Sequence, residues 1–382
     1  MAAVAEQPAR VVLCGPFPGP AAVGGYARVN ELIASSALGR RIGLVRLPIT
    51  LPIDGTLPAR LVEDARRARA AVRRPGVRIL HVTAQYQTGT YREWLQYRIA
   101  RRAGVAFLFD IRAGCFVDCY EDPASPVQRL LLADVLRGAD AITVEGRSDA
   151  AWIAHHFGRQ AVWFPNFVRA EDRSRLTPAA LVRPAAGEPL RLVYSGALRP
   201  EKGLAELLGA CALLRERGHD VSLTLAGIGD TSFVDELRAR GERLGAGRLR
   251  LLGRLDHETL LAALAQAHVF VFPSRWRGEG HSNAINEAMQ MGLPIVATRQ
   301  GFTADVVGPA CGRIVDAPAP RVLADAVQDL AADWNALVAC GRAAHARVYT
   351  EFSDTIALAR LEAVYQSLLA GDAVSSGLRS RD

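Results

Sequence analysis

Short apolar runs alternate with amphipathic stretches along the first half of the chain. The apolar runs have the length and the bounding turns of buried strands, and the stretches between them have the three-to-four spacing of helices. The predicted strands are Arg10–Cys14, Val77–Val82, Val105–Asp110, Ala139–Val144 and Ala161–Phe164, and the predicted helices include Ala27–Leu38, Thr90–Ala103, Pro126–Arg137 and Ser148–Phe157. This alternation is typical of a parallel sheet with helices on both faces.

The pattern pauses over residues 169–189, which are rich in Arg, Pro and Ala and which we interpret as a linker. It then restarts with a second series of strands and helices. The strands are Leu190–Ser195, Val221–Ala226, Arg248–Leu252, Val269–Phe272, Pro294–Ala297 and Arg313–Val315; the helices are Glu201–Arg217, Thr231–Leu244, His257–Gln266, Ser282–Met291, Pro320–Ala332 and a long region from Trp334 to Leu369. The fold class is therefore α/β, with two doubly wound halves. Such sheets bind ligands at the carboxyl ends of their strands, so we expect a site in the cleft between the halves.

The composition agrees with two globular domains. The chain has 382 residues, half of them hydrophobic, which is more than one ordinary core accommodates. We find neither a signal peptide nor an apolar run of membrane-spanning length, and this favours a cytoplasmic protein. Six cysteines are scattered along the chain, and although Cys115 and Cys119 are four apart, no second pair accompanies them. Reduced thiols are therefore a simpler interpretation than a zinc site.

The net charge of +7 favours anionic partners. Many arginines crowd two predicted helices: Arg60, Arg66, Arg67, Arg69, Arg73 and Arg74 on one, and Arg92, Arg98, Arg101 and Arg102 on the other. Two interpretations stay open, a solvated helix face or a surface that docks on the anionic inner face of a membrane. Nucleic acid is disfavoured because the chain shows no recognised binding motif and little aromatic interleaving.

One lysine, Lys202, stands against forty-five arginines. A coding bias against lysine is one explanation. The other is functional, because lysine is a compact charge on a thin stem that reaches a phosphate in a tight cleft. Lys202 follows the strand Leu190–Ser195 and precedes a helix, so it is predicted to lie beside a helix N-terminus, a position suited to a diphosphate.

Several glycines follow predicted strands. Gly24 and Gly25 precede a helix, where paired glycines let a backbone approach an anion but also mark an ordinary turn. Gly227 follows the strand Val221–Ala226, and Gly253, with Arg254 and Leu255, follows the next strand. Three consecutive strands of the second half thus end in loops that could line one pocket.

The segment 273–289 contains two glutamates eight residues apart, Glu279 in a loop and Glu287 two turns into a helix. The amides of roughly Gly280 to Ala284 would open this helix toward an anion, and a carboxylate within the helix could accept hydrogen bonds from ribose hydroxyls. The alternative is that both glutamates are surface charges.

At these residues the chain resembles a retaining GT-B glycosyltransferase of glycosyltransferase family 4. The resemblance covers almost all of the second half and is fainter in the first. Its motifs are Glu201-Lys202-Gly203, Ala226-Gly227-Ile228-Gly229, Gly253, Phe272-Pro273-Ser274, the Glu-x7-Glu pair with Ala288-Met289, and Gly292-x-Pro294-Ile295-Val296-Ala297.

The resemblance implies a donor site for a nucleotide diphosphate sugar. Lys202 would bind the diphosphate, Glu287 the ribose, and Glu279 the sugar. Gly24 and Gly25 would lie against the phosphates, and Gly227 would form part of the pocket wall. Arg254 and Leu255 would contact the nucleobase. The sugar and the nearby phosphate would be contacted by Gly280, His281, Ser282 and Asn283. It also implies an acceptor-side domain over residues 1–168, a donor-binding domain over 190–355 and a helix over 356–370 that returns to the first domain.

Two positions depart from the family pattern. Ala197 stands where the family usually has an arginine, and Arg199 could compensate. The strand that ends in Asp110 lacks the usual histidine, so Asp110 or Arg112 must fill that place. His81 is predicted to end the preceding strand. Two interpretations of this histidine stay open: a residue that lines the cleft, or a buried residue at the end of a strand.

The function that the resemblance implies is retaining transfer of a hexose-type sugar to a hydroxyl acceptor (a glycan, a lipid-linked sugar or a small molecule), without a metal or other cofactor. Lys202, and with it Arg199, would stabilise the leaving diphosphate. Two alternatives remain: a catalytically silent GT-B binding protein, and an acceptor-independent GT-B enzyme such as a sugar-nucleotide epimerase. The sequence does not distinguish UDP, GDP and ADP donors.

Overall fold

A computed structural model describes residues 10–18, 25–49, 56–84 and 89–371. These residues form two compact units. The first unit comprises the described residues up to Asn166 together with those from Ile356 onward, and the second comprises Phe167–Thr355. Each unit is built on its own six-stranded parallel sheet. The predicted fold class of two doubly wound sheets is confirmed.

The first sheet has the strand order β2-β1-β3-β4-β5-β6. Its strands are β1 Val11–Gly15, β2 Leu44–Pro48, β3 Ile79–Ala84, β4 Ala106–Ile111, β5 Ala141–Val144 and β6 Val162–Trp163. The helices of this half are α1 Gly25–Ser35, α2 Ala37–Arg41, α3 Leu57–Val72, α4 Gly89–Ala103, α5 Phe116–Glu121, α6 Pro126–Gly138 and α7 Arg147–Phe157. β1 and β3 are buried along their whole length, which is why they read as continuous apolar runs.

Two elements of the first half differ from the prediction. The strand β2 was not predicted; it lies at the edge of the sheet, is half exposed and ends at Pro48, so its hydrophobic signal is weak. The single helix predicted over Ala27–Leu38 is two helices. Ser36 separates them, because its side chain accepts a hydrogen bond from the Gly39 amide and caps α2.

The second sheet has the order β12-β11-β10-β7-β8-β9. Its strands are β7 Leu190–Ser195, β8 Val221–Ala226, β9 Leu249–Gly253, β10 Val269–Phe272, β11 Ile295–Thr298 and β12 Gly312–Val315. The helices of the second unit are α8 Asp172–Arg175, α9 Leu204–Glu216, α10 Thr231–Glu242, α11 His257–Ala265, α12 Asn283–Gln290, α13 Thr303–Val307, α14 Pro320–Ala332 and α15 Trp334–Glu351, with a 3-10 turn at Pro200–Lys202. The last helix, α16 Asp354–Ala370, belongs to the first unit from Ile356 onward. No helix in the described part of the chain is long and apolar enough to cross a bilayer.

The long helical region predicted from Trp334 to Leu369 is broken at Phe352 and Ser353. The Val168 amide donates to the Phe352 carbonyl over 2.9 Å, and the Asp354 amide donates to the Val168 carbonyl over 2.8 Å. A segment far away in the sequence thus takes over backbone groups that a continuous helix would use, and the helical region is interrupted there.

Candidate functional site

The loops after β7, β8, β9 and β10 interlock at the carboxyl edge of the second sheet. The Leu198 amide donates to Ile228 over 2.8 Å, which joins the first two loops, and the Gly227 amide donates to Gly253 over 2.8 Å, which joins the next. The Arg275 amide donates to Glu201 over 2.9 Å. These bonds make one continuous wall from the four loops, in the place where the sequence predicts the donor site.

Glycines permit this close approach of the loops. Gly227 has φ +151°, and a Cβ there would lie 1.8 Å from the Gly196 carbonyl oxygen. Gly203 has φ +70°, and its Cβ would lie 2.1 Å from the Pro273 oxygen. Both positions therefore require glycine to pack one loop on another. A contact of the Gly227 loop with a ligand remains a prediction.

Lys202 lies at the end of the 3-10 turn and is only 8 % exposed. Its Nζ donates to Glu279 Oε2 over 2.6 Å, and the same oxygen accepts a hydrogen bond from Ser274 Oγ over 2.6 Å. The ammonium also lies 4.2 Å from the centre of the Trp276 ring, within range of a cation–π contact. The single lysine is therefore held in place by a carboxylate and an indole.

Glu279 is 6 % exposed and Glu287 is 7 % exposed, so the alternative that both are surface charges is wrong. Glu279 also acts on a neighbour: burial first, and then the charge of Glu279, raise the pKa of Tyr194 well above its ordinary value. The Tyr194 hydroxyl remains a donor and bonds to the Ala197 carbonyl over 3.0 Å.

Glu287 projects from α12 toward the start of α11. Its Oε1 lies 3.6 Å from His257 Nδ1, at the end of the loop that contains Arg254 and Leu255. Glu287, the residue predicted to bind the ribose, therefore lies next to the loop that is predicted to contact the nucleobase. His257 was missed by the sequence analysis. Its position at the start of a predicted helix, directly after the loop with Arg254 and Leu255, is the feature of the sequence that could have identified it.

Some of the residues at the start of α12 make contacts that stabilise the loop before this helix. His281 is buried; its Nε2 lies 2.8 Å from Asn286 Oδ1, and its ring meets Phe352 edge-on with centroids 4.8 Å apart. Ser282 is the N-cap residue, but its side chain makes no capping bond within the described residues. Gly280 and Asn283 are half-buried beside it. A contact of this helix start with an anion remains a prediction.

Arg199 points elsewhere. Its side chain is 63 % exposed, and Nη1 lies 3.8 Å from Glu201 Oε1. Compensation for the arginine absent at Ala197 remains a prediction that depends on this side chain turning back toward the wall.

The candidate residues of the first unit lie at the carboxyl edge of its own sheet. Gly24 falls outside the described residues, and Gly25 is the first residue of α1. Asp110 is fully buried near the end of β4. His81 does not end its strand as predicted, because β3 continues through Ala84, and it is entirely buried.

The Asp110 carboxylate is held by three side chains. It accepts hydrogen bonds from Arg112 Nε and Thr143 Oγ1, both over 2.7 Å, and His81 Nε2 lies 3.3 Å away. Burial by itself raises the pKa of Asp110, but the charge of Arg112 and the contact with His81 outweigh it and lower the pKa to about 2. Asp110 is therefore a buried anion within a network.

Neither a metal cluster nor a disulfide is present in the part of the chain that the structure describes. No group of three or more His, Cys, Asp or Glu side chains there is arranged to hold a metal ion. All six cysteines fall within the described residues, and none forms a disulfide.

Comparison with known proteins agrees with this geometry. Residues 189–333 match the family model described as glycosyl transferases group 1. A GDP-mannose-dependent alpha-(1-6)-phosphatidylinositol monomannoside mannosyltransferase of Mycobacterium tuberculosis is 30 % identical over 246 residues, which are 61 % of this chain and 63 % of the relative. A glycogen synthase of the same species is 33 % identical over 201 residues, 51 % of this chain and 46 % of the relative. The chain thus spans less than two thirds of the length of each.

Solved structures match over nearly the whole chain. Sucrose-phosphate synthase from Thermosynechococcus elongatus superposes with a TM-score of 0.75 at 20 % identity and covers 95 % of this chain and 100 % of its own. HepE from Anabaena, solved with UDP, superposes with a TM-score of 0.69 at 16 % identity, over 94 % of this chain and 100 % of its own. The fold is therefore that of the GT-B class. Within that class the predicted resemblance is confirmed: the second unit is of the group 1 glycosyltransferase type.

Proposed function

We propose that this protein is a retaining glycosyltransferase that moves a hexose-type sugar from a nucleotide diphosphate sugar to a hydroxyl acceptor. The observation that carries the proposal is the burial of the one lysine, Lys202, at the carboxyl end of β7 beside Glu279. A group 1 domain with its cation in this position is suited to a departing diphosphate.

Lys202 and Glu279 would work as a pair. An ammonium has three N–H donors, and Glu279 accepts from one of them, so the same cation can also bind a phosphate oxygen. As the bond between the sugar C1 and the phosphate oxygen breaks, its electron pair passes to that oxygen, and Lys202 stabilises the charge. The acceptor hydroxyl attacks on the face that the diphosphate leaves, and a phosphate oxygen takes its proton. Glu279 would hold the sugar hydroxyls.

Glu287 and His257 would select the nucleoside. A buried carboxylate 3.6 Å from an imidazole is well placed to accept hydrogen bonds from ribose hydroxyls. The adjacent Arg254 and Leu255 would contact the base. Gly280 to Asn283 would supply helix-start amides to a phosphate or to the sugar, and no step of this scheme requires a metal.

The acceptor that we propose is lipid-linked. The mycobacterial mannosyltransferase is named for a phosphatidylinositol mannoside. In this chain the arginine-rich helices α3 and α4 expose Arg69, Arg98 and Arg101, together with Val62, which is 69 % exposed. A basic face with an exposed apolar side chain supports peripheral contact with an anionic membrane, and hence a lipid-linked acceptor.

Radiolabelled nucleotide sugars distinguish this function from its rivals. We expect UDP-, GDP- or ADP-hexose to give labelled product only when an acceptor is added, with full activity in EDTA. Conversion of the donor without acceptor would instead identify an epimerase-like enzyme. Binding without turnover would identify a silent GT-B protein, an alternative that Ala197 and the exposed Arg199 favour.

A further inference from the structure

The chain passes between the two units twice. It leaves the first unit at Asn166 and returns to it at Ile356, near the start of α16. We call these two places the crossings. A buried polar contact within the first unit lies near each crossing: Arg112 with Asn166 at the first, and His81 with Tyr365 beyond the second. Both Arg112 and His81 also contact the carboxylate of Asp110.

The outgoing crossing is held by Arg112. This side chain is entirely buried, its Nη1 donates to Asn166 Oδ1 over 2.7 Å, and its guanidinium lies 4.5 Å from the centre of the Phe164 ring. Its Nε donates to Asp110. The planar fork of arginine reaches the amide and the carboxylate together, which the single charge of lysine cannot do in the same geometry.

Tyr365 lies on α16, nine residues after the returning crossing at Ile356. Tyr365 is fully buried, and its hydroxyl lies 2.8 Å from His81 Nδ1. The other nitrogen of that ring lies 3.3 Å from Asp110 Oδ2, the same oxygen that accepts from Arg112. Thr143 fixes the second oxygen. Asp110 is therefore the shared centre of both contacts.

Stability alone does not account for such a network. A buried ion pair is often no more stabilising than apolar side chains of the same volume, whereas its bond directions are specific. With both oxygens engaged and no exposed surface, Asp110 is placed to orient other groups and not to touch a sugar.

We propose that Asp110, Arg112 and His81 are positioning residues that join the two crossings into one cooperative joint. Breaking the network at one crossing should loosen the other, although Asn166 and Tyr365 lie 199 positions apart in the chain.

Hydrogen exchange measured by mass spectrometry tests the coupling. Tyr365→Phe removes one hydroxyl from α16 and should raise exchange about fivefold, the factor for one lost hydrogen bond, both in α16 and at residues 162–168. Arg112→Lys should raise exchange in α16 as well. Tyr97→Phe is the matched control, because that hydroxyl lies near Gly138, outside the network, and it should change neither segment. Effects confined to the element that carries each substitution would overturn the proposal.

A kinetic readout rests on the proposed transferase function. Tyr365→Phe should lower kcat several-fold while leaving the affinity for a nucleoside diphosphate unchanged, since the donor loops of the second unit are untouched. An unchanged kcat in a variant with coupled exchange would reject the positioning role. If the wild type transfers no sugar, the proposed function fails, but the exchange result still decides whether the joint exists.

Discussion

At the scale of single residues, the chemistry depends on side chains taken out of water. Lys202 with Glu279, and Asp110 with Arg112, are ionic pairs whose members are almost or fully buried. Removing one member of such a pair leaves an uncompensated charge, which costs about 3–5 kcal/mol. Substitutions at these positions therefore need a stability measurement beside any activity measurement.

Asp149 is a buried acid outside these pairs and makes the stability depend on pH. Burial first, and then the charge of Asp118, raise its pKa from 3.8 to about 7. The folded protein thus binds a proton that the unfolded chain releases above pH 4. Stability contributed by the protonated form is complete below pH 4 and is lost as the pH rises through 7.

Asp149→Asn should remove this dependence. The variant should be more stable than the wild type at pH 8, by on the order of 2–4 kcal/mol, and the difference should vanish near pH 4. Urea unfolding at the two pH values measures it. A larger gain at pH 4 than at pH 8 would contradict the assignment.

At the scale of elements, the sequence predicts best the strands whose apolar run ends at a clear turn residue. β7, β8 and β10 have the predicted bounds, because their apolar runs end in glycine or proline turns. The edge strand β2 and the break before α16 could not be predicted, since the first has little apolar signal and the second depends on pairing with Val168.

In the candidate site, too, features that depend on neighbouring residues in the sequence could be predicted, whereas contacts between distant segments could not. Lys202, Glu279 and Glu287 could be selected from composition, spacing and loop position. Their partners Trp276 and His257 could not be assigned, because these contacts join loops from different strands. The burial of Asp110 likewise depends on Arg112, Thr143 and a tyrosine in the last helix, more than 250 residues away.

The interlocked loops give a prediction at this scale. Gly227→Ala should destabilise the protein by roughly 2–4 kcal/mol, because the new Cβ would overlap the Gly196 carbonyl and the backbone has φ +151°. Gly247→Ala is the matched control: its φ is +73°, but nothing lies within 4 Å of the new Cβ, so only about 1 kcal/mol is expected. Equal losses in thermal unfolding would show that the loops do not depend on this contact.

At the scale of the whole molecule, the positive charge is unevenly used. Arg69, Arg98 and Arg101 on α3 and α4 are exposed, and the last two lie 3.6 and 3.8 Å from the acidic groups of Asp134 and Asp140. The second unit pairs Arg217 with Asp325 and Arg238 with Asp235 more closely, over 2.7 and 2.5 Å. The basic face formed by these three arginines of α3 and α4 is the one proposed to meet a membrane. Screening by salt should weaken that contact, because exposed charges interact over a Debye length.

Co-sedimentation with vesicles that contain phosphatidylserine tests the membrane contact. Reversing Arg69 and Arg98 to glutamate should weaken binding by at least about 30-fold, at about 1 kcal/mol for each arginine removed. Reversing Arg217 and Arg238 should have little effect. Equal binding to neutral vesicles would reject an electrostatic contact. So would unchanged binding between 0.1 and 0.5 M salt, a range over which the Debye length falls from about 10 Å to roughly 4 Å.

The central claim is that Lys202 stabilises the diphosphate released by the sugar. Once a donor and acceptor are identified, the most direct measurement is the transfer rate of Lys202→Ala beside that of Arg217→Ala, an exposed cation of the same unit, both checked for folding by thermal unfolding. The account predicts a loss of about 2–4 kcal/mol of transition-state stabilisation, roughly 30- to 1,000-fold in kcat/KM, for the lysine variant and almost none for the arginine variant. A folded Lys202→Ala protein that transfers sugar at the wild-type rate would contradict it.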